Sequence, residues 1–394
     1  MKSVTSIIND SHLNNNSTLG YDPDITVHGD PLNPSINFSS AYAFSSIDDL
    51  GNYHENKYDS VRYARDSSLI VRQLEKYFSL MHSESPSLLF NSGMAALSAC
   101  FQSKIRSNSR IITFNSFYRK SLSIFERYIR NFSVEYENYR SYEDVEGDAS
   151  DNIIILLETP SNPFLKLIDI DFVRHKFPNA IIILDTTFQG LLNSKSNYVG
   201  VDLVVGSCTK YIGGHNDLLG GFVCCINAKF YNDIWDERSM CGGIMDNMSA
   251  YFLLRSLRTY DLRMAKTLEN VNFALEYLSS QSQIERIYYP GKYQNKHQER
   301  LMKNSMYHGG GVITFEVNSN VNLEENFKLL CSTKMAPSFG SVDSLIEIPA
   351  YMSHWGKSRE SIEKLGLTTK VVRYSVGNEP WSFLENDLHE LLKS

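Results

Sequence analysis

The sequence predicts an α/β fold with a mostly parallel central sheet and a smaller α/β C-terminal domain. Three observations carry this reading. Short apolar runs rich in β-branched residues recur through the first two-thirds of the chain, each bounded by polar or turn-forming residues. Stretches with helical spacing lie between them, as crossovers between parallel strands require. Beyond residue 250 the pattern changes to a long helical stretch, one further strand and a terminal helix.

The elements follow in order. Residues 1–20 are polar and rich in Asn and Ser, and are expected to be flexible; residues 30–65 lack regular periodicity and suit an extended arm. Residues 87–90 read as a strand and 93–102 as the helix after it. The runs 110–114, 153–157, 180–184 and 203–205 are continuously apolar, which fits buried strands of a parallel sheet. Residues 222–226 are a further strand candidate. A helical stretch, 247–263, leads into helix 268–283, strand 311–317 and helix 381–392. The expected organisation is an N-terminal arm (1–65), a large domain (66–250) and a C-terminal domain (251–394).

Composition narrows the function. The 394 residues are 42% hydrophobic and 21% charged, with a net charge of -7, ordinary for a globular protein. An acidic balance argues against nucleic acid as a partner, since phosphate backbones need a dense basic face. No run approaches the about 18 to 20 apolar residues of a membrane span, and the N-terminus lacks the apolar core of a secretory signal. No membrane partner is expected. Six cysteines, at 100, 208, 224, 225, 241 and 331, form no C-x-x-C pair. They read as buried free thiols in a reducing cytoplasm, with no metal site.

Three segments carry chemistry. The run Ser207-Cys-Thr-Lys210-Tyr-Ile-Gly-Gly-His-Asn-Asp217 follows a buried strand directly. A lysine there is either a solvated loop residue or an amine partly desolvated to act as a nucleophile near neutral pH. Ser207 and Thr209 would supply short donors to a phosphate. Asp185 ends the run Ile181-Ile-Ile-Leu-Asp185, at the sheet edge where α/β folds place ligands. It caps a turn, or it pairs with a ring nitrogen and keeps it protonated. Asn91-Ser92-Gly93-Met94-Ala95 opens a helix, whose free N–H groups and dipole favour an anion.

With these residues in that order, the sequence resembles the pyridoxal-phosphate enzymes of cysteine and methionine metabolism, the cystathionine γ-synthase and γ-lyase group. The stretches that carry the resemblance are Glu158-Thr-Pro-Ser-Asn-Pro163, Ser207 to Asp217, Arg255-Ser-Leu-Arg-Thr259, Tyr289-Pro-Gly291 and Arg373-Tyr-Ser-Val-Gly377. It runs from about His28 to the end of the C-terminal domain. It implies the fold type I, aspartate aminotransferase-like architecture and pyridoxal 5'-phosphate as cofactor. It also implies roles. Lys210 would be the Schiff-base lysine and proton carrier, and Asp185 the partner of the pyridine nitrogen. Asn162 would hydrogen-bond the ring oxygen. Ser92, Gly93, Met94, Ser207 and Thr209 would hold the phosphate. Tyr63 and Arg65 would reach the phosphate of the neighbouring subunit, in a homotetramer of active-site-sharing dimers. Tyr118 would stack on the ring and assist proton transfer. Arg373 and Ser338 would bind the substrate α-carboxylate, and His215 would be a loop residue. Trp355 and His354 would either line the site or pack beside it. The sequence departs from the family at Ser67-Ser68-Leu69-Ile70, at Thr186 and at Asn378-Glu379-Pro380.

Within the family the likeness is to the plant-type cystathionine γ-synthase branch. It rests on Tyr118-Arg119-Lys120-Ser121, Ala336-Pro-Ser-Phe-Gly340, Pro349-Ala-Tyr-Met-Ser-His-Trp355 and Tyr211-Ile-Gly-Gly-His-Asn-Asp-Leu-Leu219. This implies γ-replacement on an activated homoserine, O-phosphohomoserine by preference, with cysteine as the nucleophile. A phosphate ester carries nearly two charges, which Arg119 and Lys120 would receive; alternatively these cations face solvent or another subunit. A γ- or β-lyase on the same scaffold, or a related γ-substitution with another nucleophile, is the competing expectation. A non-catalytic descendant of an enzyme is disfavoured by the joint presence of Lys210, Asp185, Tyr118 and Arg373.

Overall fold

The computed structural model describes residues 3–10, 33, 35–114, 117–196, 198–292, 295–353, 355, 360, 362 and 365–393. Seven strands form the first sheet: β1 (Ser87–Phe90), β2 (Arg110–Phe114), β3 (Glu135–Tyr139), β4 (Ile153–Glu158), β5 (Ile181–Asp185), β6 (Leu203–Ser207) and β7 (Gly221–Cys225). Their order is β1-β7-β6-β5-β4-β2-β3. The pairs from β6 through β3 are parallel, while β7 runs antiparallel to both β6 and β1.

Period-2 alternation explains the continuous apolar runs. Ile153, Ile155 and Leu157 of β4 join one core cluster, and Ile154 and Leu156 join another on the opposite face. Both faces are buried, so no strand position is free to be polar until the strand ends. The helices of this part of the chain are α1 (Val4–Asp10), α2 (Ile47–Glu55), α3 (Leu69–Met81), α4 (Gly93–Lys104), α5 (Arg119–Phe132), α6 (Ile170–Lys176), α7 (Tyr231–Cys241) and α8 (Asn247–Leu257), of which α3, α4, α5 and α7 pack on the sheet and α1 packs on α3. Phe101 of α4 and Phe125 and Tyr128 of α5 pack with Ile154, Ile183 and Val205, which puts α4 and α5 on one face.

A long helix, α9 (Tyr260–Ser280), leads to β8 (Ile284–Tyr288), α10 (Lys296–Ser305), β9 (Val312–Val317), α11 (Leu323–Asn326), β10 (Lys334–Met335), β11 (Leu345–Glu347), β12 (Val371–Ser375) and α12 (Trp381–Leu391). These five strands form a second sheet, ordered β10-β11-β12-β9-β8 and antiparallel except for β10 with β11. Ala274, Leu275 and Leu278 of α9 and Leu384 and Leu388 of α12 bury Phe315 and Tyr374 against it.

Several elements depart from expectation. Residues 4–10 are helical: Val4 and Ile7 are buried, and Thr5 bonds Asp261 of α9 through its N–H and hydroxyl, both at 2.9 Å. The arm contains α2, whose N-cap Ser46 Oγ accepts from the Asp49 N–H. Strand β3 was not expected, because its text, Glu-Tyr-Glu-Asn-Tyr, carries charge. It is an edge strand, and Glu137 pairs with Arg110 on the neighbouring strand at 2.9 Å. The stretch 247–263 breaks between α8 and α9. Arg263 folds back there and donates to the Ser256 carbonyl at 3.1 Å, satisfying the end of α8. Four cysteines are buried as expected, but Cys241 and Cys331 are exposed; all six are unpaired. Among the described residues no helix is long and apolar enough to cross a membrane, and no His/Cys/Asp/Glu cluster could hold a metal ion.

Candidate active site

The same alternation that builds the core aims three polar residues to one side. Ile154 and Leu156, Ile183, and Leu203 and Val205 face α4 and α5. Two positions on from each comes Glu158, Asp185 and Ser207, at the C-terminal ends of three adjacent parallel strands. Glu158 and Asp185 are register partners. The Thr187 N–H donates to Asp185 Oδ1 at 2.9 Å, and the Ser207 N–H donates to Thr187 Oγ1 at 3.1 Å, which links Asp185 to the segment that carries Lys210. Burial raises the pKa of Asp185 against the hydrogen bonds of Thr187. Burial, then the neighbouring Asp185, raises Glu158 to about 8.

Beside them α4 begins. Ser92 is its N-cap, with Oγ accepting from the Ala95 N–H at 3.1 Å, and Gly93 and Met94 form its first turn. The packing here is backbone on backbone: a Cβ at Gly93 would stand 3.2 Å from Ser207 Cβ, and one at Gly221 would stand 2.3 Å from the Ser92 carbonyl. Thr209 Oγ1 accepts from the Gly220 N–H at 3.1 Å.

Lys210 follows Thr209 directly and is partly buried. Its Nζ donates to Ser338 Oγ at 2.6 Å and stands 5.1 Å from the centroid of the Phe339 ring. Burial, then the Arg373 guanidinium, pushes its amine down to about 8, against the pull of Glu347. The turn after it is fixed from behind by Arg263, which donates to the carbonyls of Tyr211 at 2.8 Å and Ile212 at 3.0 Å. Gly214 is obligatory there: its φ is +72° and a Cβ would stand 1.9 Å from Arg263 Nη1. His215 is a loop residue, 2.7 Å from the Gly213 carbonyl.

The C-terminal sheet supplies the other wall. Arg373 is 5% exposed. Its Nη1 donates to Asn162 Oδ1 and its Nη2 to the Ser338 carbonyl, each at 3.0 Å; Nη2 also pairs with Glu347 at 3.0 Å. Glu347 is its register partner on β11. Ser338 has φ +95°, a conformation that costs a non-glycine residue about 1–3 kcal/mol. It is held by Lys210 on its hydroxyl and by Arg373 on its carbonyl.

Tyr118 precedes α5 and is 46% exposed. Its N–H donates to Glu158 Oε2 at 2.9 Å, while Glu158 Oε1 accepts from the Asn162 N–H at 2.9 Å. Arg119 and Lys120 are exposed in the first turn of α5, and Arg119 Nη1 donates to the carbonyl of the exposed Trp355 at 2.5 Å. His354 lies outside the described residues. Tyr63 and Arg65 do not join this cluster: both are exposed, and Arg65 lies 5.5 Å from the Tyr63 ring centroid and 3.9 Å from Asp66.

Of the sequence candidates, Lys210, Asp185, Asn162, Ser92, Gly93, Met94, Ser207, Thr209, Tyr118, Arg373 and Ser338 converge on one sheet edge, with Arg119 and Lys120 at its rim. Glu347, Phe339, Thr187 and Arg263 were missed, and Glu158 was read only as part of a motif. Glu158 had a signal, since it ends an apolar strand as Asp185 does. Glu347 was hidden, because its pairing with Arg373 depends on the register of β11 with β12.

These residues fit pyridoxal 5'-phosphate. Lys210 offers an amine of lowered basicity, Asp185 a partly buried carboxylate for a cationic ring nitrogen, and the start of α4 an anion site with glycines packed beside it.

The comparisons agree. The family model for Cys/Met metabolism PLP-dependent enzymes matches residues 22–393. Cystathionine gamma-synthase 1, chloroplastic, of Arabidopsis thaliana is 29% identical over 398 residues, covering 96% of this chain and 70% of the relative. L-methionine gamma-lyase of Fusobacterium nucleatum is 28% identical, covering 90% and 92%. The crystal structure of cystathionine gamma-lyase from Lactobacillus plantarum superposes with a TM-score of 0.81 at 27% identity, covering 90% of this chain and 92% of that one. The α/β architecture is thus that of the fold type I enzymes, and the chain belongs to the Cys/Met metabolism PLP-dependent enzyme family.

Proposed function

We propose that this enzyme catalyses γ-replacement on an activated homoserine, O-phosphohomoserine by preference, with L-cysteine, giving cystathionine. The observation that carries the substrate choice is the pair Arg119 and Lys120. They occupy the first turn of α5 directly after Tyr118, with no acidic residue in that turn. A helix N-terminus disfavours cations, so two there are a local cost; Arg119 also holds the Trp355 carbonyl, and an anionic leaving group would give both cations a partner.

In this reading Arg373 receives the substrate α-carboxylate on the N–H groups that Asn162, Ser338 and Glu347 leave open. The substrate amine then points at Lys210. The bound cofactor supplies an electron sink that acidifies the substrate's Cα and Cβ hydrogens. Lys210 carries the Cα and Cβ protons, and its lowered basicity keeps a free amine at hand for each transfer. Tyr118 would border the ring, Asp185 would hold the ring nitrogen, and the start of α4 with Ser207 and Thr209 would hold the cofactor phosphate. As the γ-oxygen bond breaks, Arg119 and Lys120 take up the departing phosphate, and the cysteine sulfur adds at Cγ. Tyr63 and Arg65 serve the neighbouring subunit's site in a homotetramer of dimers. Six unpaired cysteines support a reducing, cytoplasmic location.

A γ-lyase outcome, in which water ends the cycle, is the second reading, supported by the likeness to L-methionine gamma-lyase. Product analysis with and without cysteine separates the two. The proposal expects cystathionine in the presence of cysteine; a 2-oxo acid and ammonia at the same rate with or without cysteine would contradict it.

A further inference from the structure

Glu158 occupies a place in the site that none of these roles uses. It is buried, and each of its oxygens accepts one backbone N–H at 2.9 Å, from Tyr118 and from Asn162. Those two residues belong to different walls. Tyr118 sits at the N-cap of α5, where no side-chain cap hydrogen bond is made. Asn162 begins the segment whose side chain accepts from Arg373. The first turn of α5 holds two cations and no acid, and Tyr118 makes no side-chain cap. The acceptor for the Tyr118 N–H comes instead from Glu158, at a neighbouring strand end rather than in the helix itself.

We propose that Glu158 is a positioning residue: its carboxylate ties the backbones of Tyr118 and Asn162 to the end of β4, so that the aromatic ring and the Asn162–Arg373 pair are held in one frame. The inference rests on the roles proposed above for Tyr118 and Lys210. Two N–H donors aimed at two oxygens require two acceptors, which a carboxylate has and an amide lacks. Glu158→Gln therefore frees one of the two N–H groups and turns an amide NH2 donor toward it.

The test is a double-mutant cycle on the holoenzyme with Glu158→Gln, Tyr118→Phe and the double variant, reading kcat, KM and the visible circular dichroism of the bound cofactor. Glu158→Gln is expected to lower kcat tenfold or more with KM within threefold, and to change the cofactor's dichroism. The effect of Tyr118→Phe is expected to shrink from tenfold or more in the parent to under threefold in the Glu158→Gln background. Additive effects with unchanged dichroism would overturn the proposal. Should Glu158→Gln fail to assemble, Glu158→Asp, one methylene too short to span both N–H groups, carries the same cycle with the same outcomes. Lys210→Ala separates the two levels. If it keeps turnover, the role reading fails; if it is inactive and the cycle is additive, the claim about Glu158 alone fails.

Discussion

Lys210 would be an ammonium in open water, and this site makes its free amine accessible near pH 8. Burial is the larger cause and the Arg373 guanidinium the second, so the position of the titration is itself a reading of the geometry. Attachment of pyridoxal 5'-phosphate to the apo-enzyme, followed by absorbance, is expected to quicken with a midpoint near pH 8. The Arg373→Gln variant should move that midpoint upward, because a cation is removed while the anionic Glu347 stays. An unchanged midpoint would mean that the two side chains do not sense each other. Lys210→Ala should lower turnover by at least the ~10²–10⁴-fold of one acid–base group, with an unchanged thermal unfolding profile; activity within tenfold of the parent would remove the lysine from the chemistry. At this scale the sequence was legible where a polar residue ended an apolar strand, as at Asp185, or closely followed one, as at Lys210. It was opaque where a partner lies across a sheet, as Glu347 does from Arg373.

Helix α5 is built against its own dipole, with Arg119 and Lys120 in its first turn. Replacing Lys120 by Glu should stabilise the protein by about 0.3–1 kcal/mol, seen as a small rise in Tm. The same change should damage use of O-phosphohomoserine by roughly tenfold to a hundredfold, the worth of one charge-assisted contact, and spare O-acetylhomoserine. A loss of stability together with a uniform loss across esters would show that the cation serves the fold. Among elements, the buried strands were the readable ones, since both faces of β4 are covered and its text is apolar up to the terminal Glu158. Strand β3 was unreadable because its charges answer Arg110 on the neighbouring strand, a tertiary fact. The break between α8 and α9 was also invisible, since Arg263, from the next helix, completes the end of α8.

At the scale of the whole molecule, one alternation rule places Glu158, Asp185 and Ser207 together, and the second sheet brings Arg373 and Ser338 to meet Lys210. Tyr63 and Arg65 stay outside that meeting and are exposed in the single chain. If they complete a neighbour's site, the double variant Tyr63→Phe with Arg65→Ala should bind the cofactor weakly. Mixed with Lys210→Ala it should recover activity, because half of the hybrid sites are whole. No recovery after verified subunit exchange would contradict a shared site. The central claim, γ-replacement on O-phosphohomoserine, is tested most directly by steady-state kinetics with O-phospho-, O-succinyl- and O-acetylhomoserine, each with cysteine. The account predicts the highest kcat/KM for O-phosphohomoserine, with cystathionine as product. Turnover of the acylated esters with none of O-phosphohomoserine would contradict it.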